Sequence, residues 1–298
     1  MYRMTKAMSM SASTMTSQLG DNRMGKERFQ VGKSPSIVVT DCQGDLVIRP
    51  WMDLDVRAKG DFTVDELGEH LSFQSPGDLT LNVPEGTAIR IEKSRGDVVI
   101  RSITGDVSVA DVSGDLILGN LTAAKVGHVA GDLVARNSSG PLSVQRVDGD
   151  VVVRNVDGDL SLELVNGDVL AQYVSGSVSF VEVMGDINVR SVNGDVEILA
   201  GSRDANLRNL GGRCQVKNIA GDVRLLGGLG PDTHSLAASG DIVLIWPLDA
   251  PLLLEAEATS IDNRLPLLDL DQSDGMICGR LGDGKTRLTM KAAGRLVL

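Results

Sequence analysis

The sequence has few aromatic residues, which make up 3% of its 298 residues, whereas glycine occurs 34 times. Because large aromatic rings normally fill the thick cores of compact domains, this composition favours a thin core of Val, Leu and Ile. Basic residues are also scarce: 29 Lys and Arg stand against 40 Asp and Glu, giving a formal net charge of -11. This balance argues against sequence-independent binding of nucleic acid and against attraction to anionic membrane surfaces.

Long apolar runs and cysteines are the next absences. No stretch reaches the roughly 18 apolar residues of a membrane helix, and residues 1–29 contain no apolar run of signal-peptide length. We therefore expect a cytoplasmic protein, or alternatively one that reaches a surface by a non-standard route. The three cysteines, Cys42, Cys214 and Cys278, have no metal-site spacing. They indicate free thiols in a reducing compartment, and no cofactor is expected.

The sequence is rich in Gly followed by Asp. From Gly131 to Gly230 a glycine recurs every nine residues, with Arg203 as the exception. Apolar and variable residues alternate after each Gly-Asp pair, as in "GDVVVRNVD", which predicts a short half-buried strand after a turn. A helix is excluded, since regular glycines and β-branched residues both oppose it.

Alternate nonapeptides differ, so the structural unit is 18 residues. In one series aspartate always follows glycine and arginine is common at the sixth position, whereas both positions vary in the other series. Such a unit matches one coil of a β-solenoid, in which coils stack about 4.8 Å apart and equivalent residues form ladders. We predict an all-β fold, a single-stranded parallel β-solenoid (β-helix) with about 18 residues per coil in its central part.

The predicted domain organisation is an arm followed by one solenoid. Residues 1–29 are expected to form a disordered or loosely attached arm, and residues 30–298 the solenoid domain. Regular coils should cover residues 96–230, with irregular longer coils at 30–95 and 231–298, because end coils need capping. The chain ends on the strand-like "GRLVL", which we expect to leave the last coil uncapped.

Several segments resemble a known bacterial family. They are "LTLNVPEGTAIRIEKSRGDVVI", the "VSGD" and "VNGD" coils, "LAASGDIVLIWP" and the closing "GDGKTRLTMKAAGRLVL". Over roughly residues 29–298 the chain is similar to the β-strand-repeat domains of unknown function that are commonly labelled putative adhesins. The resemblance implies a single-stranded β-solenoid and brings no established activity or catalytic residues.

The uniform aspartates form the first candidate site. They are Asp132, Asp150, Asp168, Asp186, Asp204 and Asp222. Stacked carboxylates repel one another, so cations between coils would be stabilising. One Gly and one Asp per turn offer fewer oxygens than the roughly six to eight that Ca²⁺ takes. The favoured interpretation is therefore that each Asp accepts hydrogen bonds from N–H groups of its own turn, and a cation ladder is the alternative.

Two outward columns are candidate interaction faces. One is the arginine column Arg136, Arg154, Arg190 and Arg208, and the other is the apolar column Val134, Val152 and Leu170. The arginines could bind an acidic polymer or simply solubilise the surface. The apolar column could contact a partner or be covered by the N-terminal arm.

Three further patterns suggest chemistry but have simpler explanations. Residues 279–286, "GRLGDGKT", match the phosphate-binding loop pattern through Gly279, Gly284, Lys285 and Thr286, yet a strand pattern follows instead of a helix. We expect a glycine-rich hairpin turn and no nucleotide. The segment 269–275, "DLDQSDG", is expected to be a solvated acidic loop. His70, His128 and His234 are expected to lie in surface turns.

The favoured function is therefore a non-catalytic scaffold that binds a protein partner or self-associates through its end coils or faces. The alternative is a calcium- or glycan-binding adhesin, and a polysaccharide-active enzyme is less favoured because no acid/base pair or nucleophile can be identified.

Overall fold

The structure, a computed structural model, describes residues 22–298, with side chains described from residue 25 onward. These residues form 30 β-strands and no helix. No helix in this part of the chain could therefore cross a membrane. The observed all-β architecture is the predicted β-solenoid.

The strands fall into three groups along the chain. The N-terminal group is β1 (Asn22–Gln30), β2 (Ser36–Cys42), β3 (Leu46–Pro50), β4 (Asp55–Leu67), β5 (His70–Ser75) and β6 (Leu79–Val83). The central group is β7 (Ala88–Ser94), β8 (Val98–Ile103), β9 (Val107–Val112), β10 (Leu116–Leu121), β11 (Ala124–Val129), β12 (Leu133–Ser138), β13 (Leu142–Val147), β14 (Val151–Val156), β15 (Leu160–Val165), β16 (Val169–Val174), β17 (Val178–Val183), β18 (Ile187–Val192), β19 (Val196–Gly201), β20 (Ala205–Leu210), β21 (Cys214–Ile219) and β22 (Val223–Leu226). The C-terminal group is β23 (Thr233–Ala238), β24 (Ile242–Ile245), β25 (Leu252–Glu257), β26 (Ser260–Asp262), β27 (Leu268–Ser273), β28 (Met276–Leu281), β29 (Arg287–Ala292) and β30 (Arg295–Val297).

Each central coil contains two strands, one on each face of the solenoid. The odd-numbered strands β7 to β23 pair in parallel with one another and form sheet 1, and the even-numbered strands β8 to β24 form sheet 2. Leu133 pairs with Val151, one 18-residue coil later, while Leu116 pairs with Leu133 across a coil that is one residue shorter. The coil length predicted from the repeat is thus confirmed.

The core is a thin apolar layer between the two sheets. In β14, for example, Val151, Val153 and Val156 are all buried. Two successive outward residues separate Val153 from Val156, and the second of these, Asn155, has a φ of 57°. In the sheet 2 strands β8 to β20, this left-handed residue adds a bulge that turns the third apolar side chain back into the core.

The order of the coils departs from the order of the chain at both ends. At the N-terminal end, β2 and β3 lie between the coil of β5 and β6 and the coil of β7 and β8. At the C-terminal end, β29 and β30 lie between β23 and β24 on one side and β25 and β26 on the other. The expectation that "GRLVL" leaves an uncapped end is therefore wrong, because β30 is an interior strand.

Antiparallel strands close both ends of the solenoid. The long strand β4 pairs with β5 and β6 and is itself covered by β1, whereas β28 pairs with β25 and is covered by β27. Strand β1 begins at Asn22 and its Phe29 is buried, 6.4 Å from Phe62 and 5.8 Å from Phe73 between ring centroids. The predicted arm of residues 1–29 is thus too long by residues 22–29, and the rest of it lies outside the described residues.

Candidate interaction site

The aspartate column is a hydrogen-bonded ladder along the solenoid. The Oδ1 atom of Asp132 accepts the backbone N–H of Asp150 at 2.8 Å, and Asp150 accepts that of Asp168 at the same distance. The same link continues through Asp186, Asp204 and Asp222, and beyond them through Asp45, Asp97, Asp115 and Asp241. The predicted acceptor role is correct, but the predicted donor is wrong, because the N–H belongs to the next coil and not to the same turn.

The glycine before each aspartate is needed for close stacking. A Cβ on Gly167 would lie 2.5 Å from the carbonyl oxygen of Gly149 and closer still to Oδ1 of Asp150. Gly167 has no left-handed φ, so the conformational freedom of glycine is not what this position requires. Glycine and aspartate therefore act together in stacking the coils, because the aspartate side chain of one coil occupies the space that the glycine of the next coil leaves free.

The variable series makes the same link wherever it has an acceptor. Ser177 donates its N–H to Asp159 and Arg213 donates to Asp195, both at 2.8 Å. This bond from Arg213 is the main cause that lowers the pKa of Asp195. The variable aspartates therefore also stabilise turns between coils, as the sequence suggested.

No group of three or more His, Cys, Asp or Glu side chains within residues 22–298 is arranged to hold a metal ion. In the aspartate ladder, one oxygen of each linked carboxylate already accepts a backbone N–H. The cation ladder stays a prediction.

The arginine column lies on sheet 2 with every side chain exposed. Arg136 pairs in register with Arg154, and Arg190 with Arg208, while Gln172 stands between the two pairs. None of the four guanidinium groups forms an ion pair or hydrogen bond within residues 22–298. The aspartate ladder runs four residues away along each strand, about 13 Å by the strand rise, which exceeds the screening length at physiological salt. The column is therefore an unneutralised positive stripe on an acidic protein.

The apolar column lies beside the arginines on the same sheet. Val134, Val152 and Leu170 stack in register and are half-buried. In the following coils the column becomes polar, with Asn188, Asn206 and Arg224 in turn. All the interaction candidates taken from the sequence thus share one face.

A shallow depression of about 220 Å³ lies where the apolar column turns polar. Its outward lining side chains include Leu170, Gln172, Asn188, Arg190, Asn206 and Arg208, and we call it the polar depression. It combines two guanidinium groups with three side-chain amides. Sequence analysis identified the arginines but not the amides, which occupy columns that are apolar or arginine in other coils.

An asparagine ladder on sheet 2 was not predicted. It occupies the left-handed position of each coil, which is held by Ser102, Asn120, Asn137, Asn155, Tyr173, Ser191 and Asn209 with φ between 53° and 59°. Asn155 donates its Nδ2 hydrogen to Oδ1 of Asn137, and Asn137 donates to Asn120, both at 2.9 Å. The signal was present in the sequence, because asparagine is the side chain most tolerant of positive φ and it recurs at the seventh position.

None of the three histidines lies in a surface turn, so that expectation is wrong. His70 is the first residue of β5, and its Nδ1 atom lies 3.3 Å from Oγ of Ser36. His128 is on β11, where its imidazole contacts Asp111 at 2.8 Å and Asp148 at 3.1 Å. These hydrogen bonds, led by that to Asp148, raise the pKa of His128. His234, on β23, is fully buried and accepts the N–H of Cys214 at 3.0 Å, and burial lowers its pKa.

The two motif segments are strands and connections at the C-terminal end. Gly279 lies within β28, and Gly282 to Thr286 lead directly into strand β29. Because β28 and β29 pair on opposite sides of β25, the segment crosses over a strand and is not the predicted hairpin turn. The expected acidic loop at 269–275 is also wrong in part, since residues 269–273 belong to the exposed edge strand β27.

A groove of about 650 Å³ lies at this same end, beside the turn between β27 and β28. Its floor is formed by Ala238, Ala258 and Ala292, and the ion pair of Lys291 and Glu257, at 3.1 Å, lies at its side. This ion pair neutralises Lys291 and Glu257, and Asp274, which also lines the groove, leaves the groove with a net negative charge.

The fold and its side-chain ladders place this protein among the β-solenoid repeat proteins with capped ends. The family model of Toastrack DUF4097, a domain of unknown function, matches residues 52–201, just over half of the chain. The chain belongs to the Toastrack DUF4097 family, and the resemblance noted in the sequence is confirmed. No curated protein is similar in sequence.

Two solved structures are similar over most of their length. One is described as a putative cell adhesion protein from Clostridium sporogenes, with 9% identity, a TM-score of 0.17 and coverage of 93% of this chain and 98% of that one. The other is described as a putative adhesin from Bacteroides fragilis, with 14% identity, a TM-score of 0.23 and coverage of 91% and 95%. Similarity at this level carries no argument about function.

Proposed function

We propose that this protein is a non-catalytic interaction module, a rod-like scaffold that binds an acidic partner along sheet 2. The observation that carries the proposal is the arginine column, whose four guanidinium groups are exposed and without partners in the described residues. Surface arginines that only solubilise a protein commonly pair with neighbouring carboxylates. Here the nearest acidic column is too far away, so the guanidinium groups stay available to a partner.

The shape of sheet 2 supports the same function. Parallel pairing in register places equivalent side chains about 4.8 Å apart along the rod, so the arginines form a straight line of positive charge. The half-buried apolar column beside it adds surface that a partner can cover. A linear arrangement of this kind suits an extended acidic chain better than a small ligand.

The test compares binding of two acidic polymers, poly-L-glutamate and polygalacturonate, with binding of neutral dextran. The variant Arg136→Gln/Arg154→Gln/Arg190→Gln/Arg208→Gln should lose affinity for both acidic polymers. For this variant, the slope of log affinity against log salt concentration should be shallower by about one for each arginine removed, because fewer counterions are released on binding. Surface plasmon resonance at several salt concentrations measures both quantities.

The control variant removes the same charge elsewhere. It replaces Arg90, Lys93, Arg95 and Lys125, four exposed cations on sheet 1 or its turns, with glutamine. This variant should bind the polymers like the unmodified protein. The proposal is overturned if the two variants weaken binding equally, or if neither acidic polymer binds the unmodified protein.

Self-association through the end coils was predicted from an uncapped C-terminal strand, and β30 is instead an interior strand. The edge strands at the two ends, β1 and β27, carry charged residues such as Lys26, Arg28, Asp269 and Asp271, and charged side chains on edge strands limit edge-to-edge pairing. Binding along sheet 2 is accordingly the function that the geometry favours.

A further inference from the structure

Tyr173 is out of place in its column. The other residues at this left-handed position are Asn or Ser, whereas Tyr173 has a φ of 59° and a ring that is 53% exposed. A bulky side chain is disfavoured at positive φ, and asparagine there would join the hydrogen-bonded ladder. Its hydroxyl has no hydrogen-bond partner within residues 22–298. Tyr173 thus combines an unfavourable backbone conformation with an exposed aromatic side chain, and residues in such conformations cluster at functional sites.

Tyr173 lies beside the arginine column. Its neighbour Gln172 pairs in register with Arg154 in the preceding coil and with Arg190 in the following one. From chain and coil spacings, the Cα atom of Tyr173 lies roughly 6 Å from the Cα atoms of both arginines. The polar depression is lined by Gln172 and extends to Arg208, and Tyr173, which is not part of that lining, is the residue directly after Gln172 in the chain.

The chemistry of this surface selects a ligand class. Guanidinium groups bind carboxylates, often through two parallel hydrogen bonds. The amides of Gln172, Asn188 and Asn206 each donate and accept, which suits hydroxyl groups. An exposed aromatic ring offers an apolar face with a polar edge. A glutamate homopolymer carries carboxylates but no hydroxyl groups and no rigid ring, whereas a sugar acid carries groups that match all three features.

We propose that Tyr173 and the polar depression form a binding site for a carboxylate-bearing saccharide. The sugar ring stacks on Tyr173, its carboxylate contacts Arg190 together with Arg154 or Arg208, and its hydroxyls contact the amides. The site rests on the proposed function, because it uses the same face and the same charges. It goes further in naming sugar acids as the class of partner.

The test uses trigalacturonate as the probe, with the uncharged trisaccharide maltotriose as its control. Calorimetry should show that Tyr173→Asn weakens trigalacturonate binding roughly tenfold, whereas Tyr173→Phe keeps most of the affinity because the ring remains. Arg190→Gln/Arg208→Gln should weaken it by about tenfold or more, and the sheet 1 variant Lys93→Gln/Arg95→Gln should not change it. Tyr173→Asn should also raise the melting temperature, since asparagine extends the ladder.

The outcomes separate this inference from the proposed function. Support requires that Tyr173→Asn weakens binding of trigalacturonate while leaving binding of poly-L-glutamate unchanged. If poly-L-glutamate binds sheet 2 but trigalacturonate does not, or is insensitive to Tyr173, the saccharide site is wrong and the acidic-partner function stands. If poly-L-glutamate, polygalacturonate and trigalacturonate all fail to bind, both are wrong. A lower melting temperature for Tyr173→Asn would contradict the view that Tyr173 is kept at the expense of stability.

Discussion

Replacing Gly167 with alanine tests why the repeat needs glycine. The new Cβ would lie 2.5 Å from the carbonyl oxygen of Gly149 and 2.6 Å from its carbonyl carbon, both of which are backbone atoms. The coils can accept this methyl group only by moving apart. We expect the substitution to lower the free energy of unfolding substantially, even though it adds only one carbon atom.

The magnitude follows from two contributions. Overpacking a close contact costs about 1–3 kcal/mol. Moving the coils apart also weakens the bond of Gly167 N–H to Gly149 at 3.1 Å and that of Asp168 N–H to Asp150 at 2.8 Å, each worth about 1 kcal/mol. If both bonds are lost, the total loss is about 3–5 kcal/mol, which corresponds to a fall in melting temperature of roughly 5–15 °C.

Gly77 provides a matched control. It occupies the same turn position in the coil of β5 and β6, but no heavy atom lies within 4 Å of the Cβ that it would gain. Its substitution by alanine should change the melting temperature by no more than about 2 °C, because the added methyl group meets open space and surface substitutions without new contacts seldom change stability by more than about 0.5 kcal/mol. Calorimetric melts of both variants measure the difference. Equal losses for Gly77→Ala and Gly167→Ala would refute the stacking explanation.

Two further predictions concern other ladder and core positions. Asn155→Ala should lower the free energy of unfolding by about 1–2 kcal/mol, because alanine is disfavoured at positive φ and cannot form the hydrogen bond to Asn137. Asn155→Gly should lower it less, since glycine tolerates positive φ, and denaturant melts measure both. Equal losses would contradict the role given to φ. For His234, burial holds the pKa below the ordinary 6.5, so the unfolded chain takes up the proton first and stability falls as pH drops below about 6.5. His128 acts in the opposite sense, because its raised pKa gives stability that is present at low pH and lost as pH rises through the folded pKa. The variant His128→Gln removes this opposing contribution, so its denaturant midpoint should be lower near pH 5.5 than near pH 7.5. An unchanged midpoint would show that His234 is not held neutral.

The central coils could be predicted because the repeat constrains them strongly. A slip of one residue would turn every buried side chain outward, so the 18-residue register follows from the apolar pattern alone. The arginine and apolar columns follow from the same register, since equivalent positions must stack. For this reason the sequence located the candidate face on sheet 2 without any structural information.

The ends could not be predicted in the same way. Strands β29 and β30 have the same alternating pattern as any coil, and nothing local to them specifies insertion between β24 and β26. The position of β29 and β30 is set by pairing with strands that are distant in the sequence. An alternating apolar pattern is compatible with many neighbouring strands and does not select one. The donor to each ladder aspartate was missed for a related reason, because the N–H of the next coil is 18 residues away and local turn rules consider only near neighbours.

Locating a bound sugar acid on the protein tests the binding role proposed for sheet 2 most directly. A crystal structure of the full chain with trigalacturonate should show the sugar ring over Tyr173 and its carboxylate against Arg190. Saccharide bound at the aspartate turns or on sheet 1, with Tyr173 and the polar depression free, would contradict it.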